Sequence, residues 1–223
     1  MTIWLLSDTE EKSVWDNWNA STAKKLADVD LVLSAGDLHP KYLEFLVTML
    51  NVPLVYVRGN HDGIYDHKPP EGCEDADGKL VEIECGSNAG RQKVRILGFG
   101  GSMRYKNSSE DMYTENEMMA RIRKAERELR KRRLIRSVMG QAGDHSLNIL
   151  LTHAPCRGYG DMEDLPHMGF ECFNYFLNKY SPQLHCYGHV HQEYGRIERR
   201  ISHPSGTLLI NGSGYQIIDS AKL

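Results

Sequence analysis

The chain has 223 residues, five cysteines and a formal net charge of −3. One domain spanning 1–223 is expected at this length, and the near-neutral balance gives no global pull toward nucleic acid or an anionic membrane. The longest apolar runs fall far short of the roughly 18 residues a membrane span needs, so no membrane partner is expected. Widely spaced cysteines with no CxxC pair exclude a zinc knuckle, and their odd number points to a reducing, cytoplasmic setting.

In chain order, Thr2–Ser7 reads as a first strand rather than a leader, because Ser7 and Asp8 end its apolar run at once. A loop and a helix near 18–27 follow, with Trp15 and Trp18 spaced to share a helical face. Strands are expected at 30–35 and 53–57, separated by a helix at 40–50. Residues 63–78 read as loop, from their glycines, prolines and acids. A hairpin is expected from strands near 80–85 and 94–99, joined by the turn GSNAGRQ. The longest helical pattern covers 114–139. Its apolar side is Met118, Ile122, Ala125 and Leu129; its basic side runs from Arg121 through Arg123, Lys124, Arg127, Arg130, Lys131, Arg132 and Arg133 to Arg136. GQAGDHS breaks that helix. A strand over LNILLT, a short helix over FECFNYFLNKY and a strand over PQLHCYG come next, and YGRIERRIS, GTLLING and YQIID then read as three short strands. Parallel βα units followed by hairpins fit an α/β sandwich of two sheets with helices outside, although periodicity alone does not separate it from a single mixed sheet.

Chemistry concentrates where apolar runs end. Asp8 follows the first strand. Asp37 lies in GDLH after the second, and Asn60, His61 and Asp62 lie in GNHD after the third. His153 follows LNILLT, and His189 and His191 follow PQLHCYG. Open α/β sheets place their sites at the carboxyl ends of strands, and oxygen and imidazole donors gathered there suit two divalent metals. Residues two apart on an extended segment face alike, so His189 and His191 can both reach one metal pair.

The ordered set Asp8-Thr9-Glu10, Gly36-Asp37, Gly59-Asn60-His61-Asp62, Thr152-His153 and Gly188-His189-Val190-His191 resembles the calcineurin-like metallophosphoesterase superfamily. Glu10 stands where that pattern has a histidine. The tail segments LTHAPCRGYGD and LHCYGHVHQEYG are similar to a small branch related to weak cyclic-nucleotide phosphodiesterases, with Ala154 and Cys156 departing from it. The resemblance implies a four-layer α/β/β/α sandwich of two mixed sheets flanked by helices. It implies two divalent ions, Mn or Fe foremost, with Zn, Ni or Co as alternatives. Asp37 would bridge them; Asp8, His191 and Glu10 would complete one site, and Asn60, His153 and His189 the other. It further implies His61 as catalytic histidine and in-line attack by a metal-activated water on a small phosphodiester or phosphomonoester, a nucleotide-like one slightly favoured.

Asp62 is expected either to orient His61 or to tie its loop. His39, two residues past Asp37, either reaches the site or caps the following helix. The loop after His153, with Arg157 and Asp161, is expected near substrate or just behind it. Three readings of function stay open. The first is a metal-dependent phosphoesterase. The second is a nuclease gripping a phosphate backbone with the 121–136 face. The third is a scaffold of weak or no activity, in which Glu10 is the telling residue. The basic helix is also a candidate oligomer contact.

Overall fold

The computed structural model describes residues 1–86, 90–106, 110–139, 146–191 and 198–220, and for Arg136 the backbone only. The turn expected at 86–92, the helix breaker at 140–146 and the start of the strand expected from 194 lie wholly or partly outside these residues.

One sheet joins β1 (Thr2–Ser7), β2 (Leu31–Ser34), β3 (Leu54–Tyr56), β4 (Glu74–Asp75) and β13 (Gly214–Asp219) in the order β13-β1-β2-β3-β4. Only the β1–β13 pair is antiparallel. The second sheet runs β11 (Arg200–Ser202), β12 (Leu208–Asn211), β10 (Leu184–Tyr187), β9 (Ile149–Thr152), β6 (Gln92–Phe99), β5 (Leu80–Cys85). Its two outer pairs are antiparallel and its centre is parallel. A minor pair, β7 (Ser102–Met103) and β8 (Met112–Tyr113), stands apart.

Strand alternation builds the layers. Ile3, Leu5, Leu31, Leu33 and Val55 of the first sheet meet Ile96, Ile149, Leu151, Leu184 and Ile210 of the second in one buried cluster. The opposite faces carry Trp4, Leu6, Val32 and Tyr56, packed against Tyr42, Leu43 and Leu46 of α3 (Pro40–Leu50). On the far side Leu97, Phe99, Leu150 and Leu209 pack against Met118, Ile122 and Ala125 of α4 (Glu115–Val138) and Phe173, Phe176 and Leu177 of α5 (Glu171–Tyr180). Three apolar seams thus separate four layers, helix, sheet, sheet and helix, as expected.

Several local expectations change. The helix near 18–27 is present as α2 (Ala20–Lys25), its start set by the side-chain cap of Asn19, and the loop before it holds a further single turn, α1 (Lys12–Trp15). Trp15 and Trp18 therefore do not share a helix, yet both rings pack edge-on against Phe45. The segment expected as plain loop holds a 3₁₀ turn at Gly63–Asp66 and edge strand β4. In α4, a Thr114/Glu117 capping box sets the start. Arg121 is not on the solvent side: its guanidinium donates to the Gly100 carbonyl and to Asp77, and lies 4.2 Å from the Tyr113 ring centre.

Candidate active site

Five parallel strands, β1, β2 and β3 of one sheet and β9 and β10 of the other, lead into the loops that carry the residues singled out above. Asp8, Asp37 and His189 sit at φ 66°, 56° and 69°, in the left-handed region that non-glycine residues rarely occupy. Such backbone persists only where surrounding contacts hold it. Here they do. Asp8 N–H donates to the Gly36 carbonyl (3.1 Å), and His189 N–H donates to the Asp8 carboxylate (3.0 and 3.1 Å). His61 N–H donates to Asp37 Oδ1 (2.9 Å).

Two glycines allow this crowding. A Cβ on Gly59 would strike the Asp37 carboxylate, and one on Gly188 would strike Ser7 Oγ and approach Asp8.

Ligand atoms of Asp8, Asp37 and His153 lie within 4.8 Å of one another. His153 is fully buried; its Nδ1–H donates to the Ala35 carbonyl (2.7 Å). That bond turns Nε2 toward Asn60 Oδ1 at 3.0 Å and Asp37 Oδ2 at 3.5 Å, both acceptors. Burial opposes a charge on this ring, but Asp37 and Asp8 outweigh it and hold the pKa above the usual imidazole value. His189 is oriented likewise: its Nε2–H donates to the Pro166 carbonyl (2.7 Å), and its ring centre lies 4.8 Å from that of His153. Burial first, then His153, depresses its pKa to about 3, so it stays neutral. His191 Nε2 lies 3.4 Å from Asp8 Oδ1. Burial works against charge on Asp8, yet the hydrogen bond to His191 and the field of His153 keep its pKa below the ordinary value.

The donors fit a divalent cation. One nitrogen of His153 and one of His189 are committed to carbonyls, which is how a protein fixes the tautomer of a ligating imidazole. The remaining nitrogen of His153 faces oxygen lone pairs, and a cation among them satisfies all at once.

These groups line a cleft of about 530 Å³ formed by Asp8, Asp37, Asn60, His61, Tyr105, Pro166, His167, His189 and His191. Pro166 and His167 belong to the loop after His153 that was expected near substrate; Tyr105, two residues past β7, was not marked by any pattern in the sequence. His167 is held by Asp164 (Nδ1 to Oδ2, 2.6 Å) and its ring centre is 5.4 Å from that of His189.

Other expected residues are placed elsewhere. Asp62 is buried, and its Oδ2 accepts from the backbone N–H of Asp37 (2.8 Å) and Gly59 (2.7 Å), so it ties the two loops together. Burial, then the Asp37 charge, pushes its pKa up to about 6. His39 caps α3 through Nδ1, and Glu10 Oε1 accepts from His39 N–H (3.3 Å) at the helix start. Arg157 is bound to Asp161, Glu163 and the Met162 carbonyl, and Asp161 also accepts from Gly158 and Gly169 N–H. Both therefore brace the loop that follows His153.

No curated protein matches the chain. Among solved structures, TT1561 of Thermus thermophilus superposes with a TM-score of 0.61 at 12% identity, over 98% of this chain and 93% of that one. A second crystal structure gives a TM-score of 0.62 at 12% identity, over 99% and 95%. These likenesses establish the fold. The family model described as calcineurin-like phosphoesterase matches residues 1–193 and takes in every strand end that reaches the cleft. By that match the chain belongs to the calcineurin-like phosphoesterase family, whose members hydrolyse phosphoesters with divalent metal ions.

Proposed function

We propose that the cleft holds two divalent cations, bridged by Asp37, and hydrolyses a small phosphodiester or phosphomonoester. Asp8 and His191 would hold one cation, and Asn60, His153 and His189 the other. The mixed oxygen and nitrogen set suits Mn or Fe, with Zn, Ni or Co as alternatives. The cations supply charge neutralisation on the phosphate and a water acidic enough to attack near neutral pH. Asn60 contributes a neutral oxygen, which limits negative charge beside an anionic substrate.

His61 is exposed on the cleft wall and anchored through its backbone to Asp37. It is placed to bind a phosphoryl oxygen or to protonate the leaving group. Asp62 acts through the backbone, holding the His61 loop against the Asp37 loop. Tyr105 gives the cleft an aromatic surface, which favours a nucleotide-like ester over a purely aliphatic one.

The observation that carries this reading is the convergence of Asp8, Asp37 and His153 within 4.8 Å, with Nε2 of His153 turned on the Asn60 and Asp37 oxygens. Turnover of bis-p-nitrophenyl phosphate in Mn²⁺ tests it. Asp37→Ala and His61→Ala are each expected to lower the rate at least about 100-fold. Equal rates in wild type and both variants would leave the cleft without a catalytic role and favour the scaffold reading. Arg121 faces inward, so the nuclease reading loses one of its cations.

A further inference from the structure

Helix α4 has two apolar faces, and they point in different directions. Met118, Ile122 and Ala125 are buried against the second sheet and α5. Leu134, Ile135, Val138 and Met139 are 67%, 57%, 80% and 65% exposed. At 3.6 residues per turn, Leu134 lies about 160° round the axis from Met118, and Val138 about 160° from Ile122. Leu134 and Val138 therefore look away from the body of the protein, while Ile135 and Met139 lie to one side, about 100° and 60° from Met118. From Arg127 onward Leu129 alone among the described side chains is even half-buried, so the last three turns project.

The projecting part is also basic. Arg127, Arg130, Lys131, Arg132 and Arg133 are exposed there. Glu128, paired with Lys131 at 2.8 Å, is the one acid between Arg127 and Met139. Arg132 and Lys131 flank or interrupt the stripe on the helical wheel, while Arg133 lies opposite it. Exposed aliphatic side chains at the end of a helix, interleaved with and flanked by cationic ones, suit an interface: shallow burial in the acyl boundary, with guanidinium and ammonium groups reaching to the phosphates.

We infer that the distal half of α4 docks this enzyme on an anionic phospholipid surface. Two alternatives fit less well. Stripe-to-stripe pairing with a second copy would bring two sets of Arg132 and Lys131 together. An acidic protein would have to be held by four side chains within two turns, whereas a stable protein interface uses roughly 20–30 residues a side. A lipid surface needs no matching relief and answers both the apolar and the cationic side chains. No helix among the described residues is long and apolar enough to cross a membrane, so the contact is peripheral.

Flotation of the full chain with vesicles tests this, comparing phosphatidylcholine alone with phosphatidylcholine containing about 30 mol% phosphatidylserine, near the anionic content that gives polybasic segments their pull. Wild type is expected to partition to the anionic vesicles at least about tenfold more than to the neutral ones, and less at high salt. Leu134→Gln/Val138→Gln removes the stripe and keeps the charge; Arg132→Glu/Arg133→Glu does the reverse. Each is expected to lose binding about tenfold, while both keep wild-type hydrolysis and melting temperature, which shows that they fold. No partition to anionic vesicles, or partition that neither variant changes, overturns the inference. Sedimentation showing a wild-type dimer that Leu134→Gln/Val138→Gln abolishes, without lipid binding, would assign the stripe to a second copy instead. Binding is read without turnover, so failure here leaves the catalytic reading untouched.

Discussion

At the scale of single residues, two acids beside the cleft separate structural from chemical duty. Both backbone N–H groups that Asp62 receives land on one oxygen, Oδ2. An amide oxygen can accept both. Asp62→Asn is therefore expected to fold within about 1 kcal/mol of wild type. Asp62→Ala strands two N–H donors and is expected to cost about 2–6 kcal/mol, at about 1–3 kcal/mol per unsatisfied buried group. Urea denaturation of both variants checks this, and equal stability of the two would remove the loop-tying role. Glu10 makes the complementary case. Its carboxylate meets the His39 N–H at the start of α3. Glu10→Ala should then lower hydrolysis by less than about threefold, against the roughly 100-fold of a lost catalytic group. A loss on the scale of Asp37→Ala would instead make Glu10 part of the metal site.

At the scale of elements, α4 and α5 are joined by one buried carboxylate. Glu126 is 2% exposed and accepts from Lys179 (2.7 Å), Tyr180 (3.1 Å) and Tyr175 (3.2 Å). Two positions on, Glu128 is exposed and pairs with Lys131 on its own helix. Glu126→Ala is expected to destabilise by about 1–3 kcal/mol, and Glu128→Ala to leave the melting temperature unchanged. Thermal unfolding distinguishes them; comparable losses would mean the α4–α5 seam does not depend on Glu126. The strand ends show a second dependence between elements. With Gly59 against Asp37 and Gly188 against Ser7, neither loop has room for a side chain.

At the scale of the whole molecule, a buried histidine couples stability to pH. His185 is fully buried on β10, its Nε2 2.7 Å from Thr152 Oγ1 and its Nδ1 3.4 Å from Cys156 Sγ. Thr152 Oγ1–H already donates to the Ala154 carbonyl, so His185 Nε2–H donates to Thr152 and Nδ1 receives the Cys156 thiol. Burial depresses its pKa to about 3. In the unfolded chain it takes a proton near the ordinary value of about 6.5. As pH falls the unfolded state is protonated first, so the stability His185 contributes is complete above about 6.5 and is lost on the way down toward 3, at up to about 1.4 kcal/mol per pH unit. Urea titrations between pH 7 and 4 should show a shallower decline for His185→Gln than for wild type. Parallel declines would mean that His185 is charged in the folded protein or remains unprotonated in the unfolded one.

Much of this was written in local pattern. Short continuous apolar runs in TIWLLS and LVLS, helical spacing over 40–50, and acids or histidines closing each apolar run declare strands, helix and strand-end loops without reference to anything distant. These are nearest-neighbour properties, so Asp8, Asp37, Asn60, His61, His153, His189 and His191 could be picked out from the chain. What the tertiary structure decided is what depends on which distant surfaces meet. It set two sheets face to face, turned Arg121 inward onto Asp77, sent Glu10 to the start of α3, and brought Tyr105, which no pattern marked, onto the cleft beside Pro166 and His167. Orientation of that kind is fixed by long-range packing and hydrogen bonding, which no periodicity in a single chain encodes.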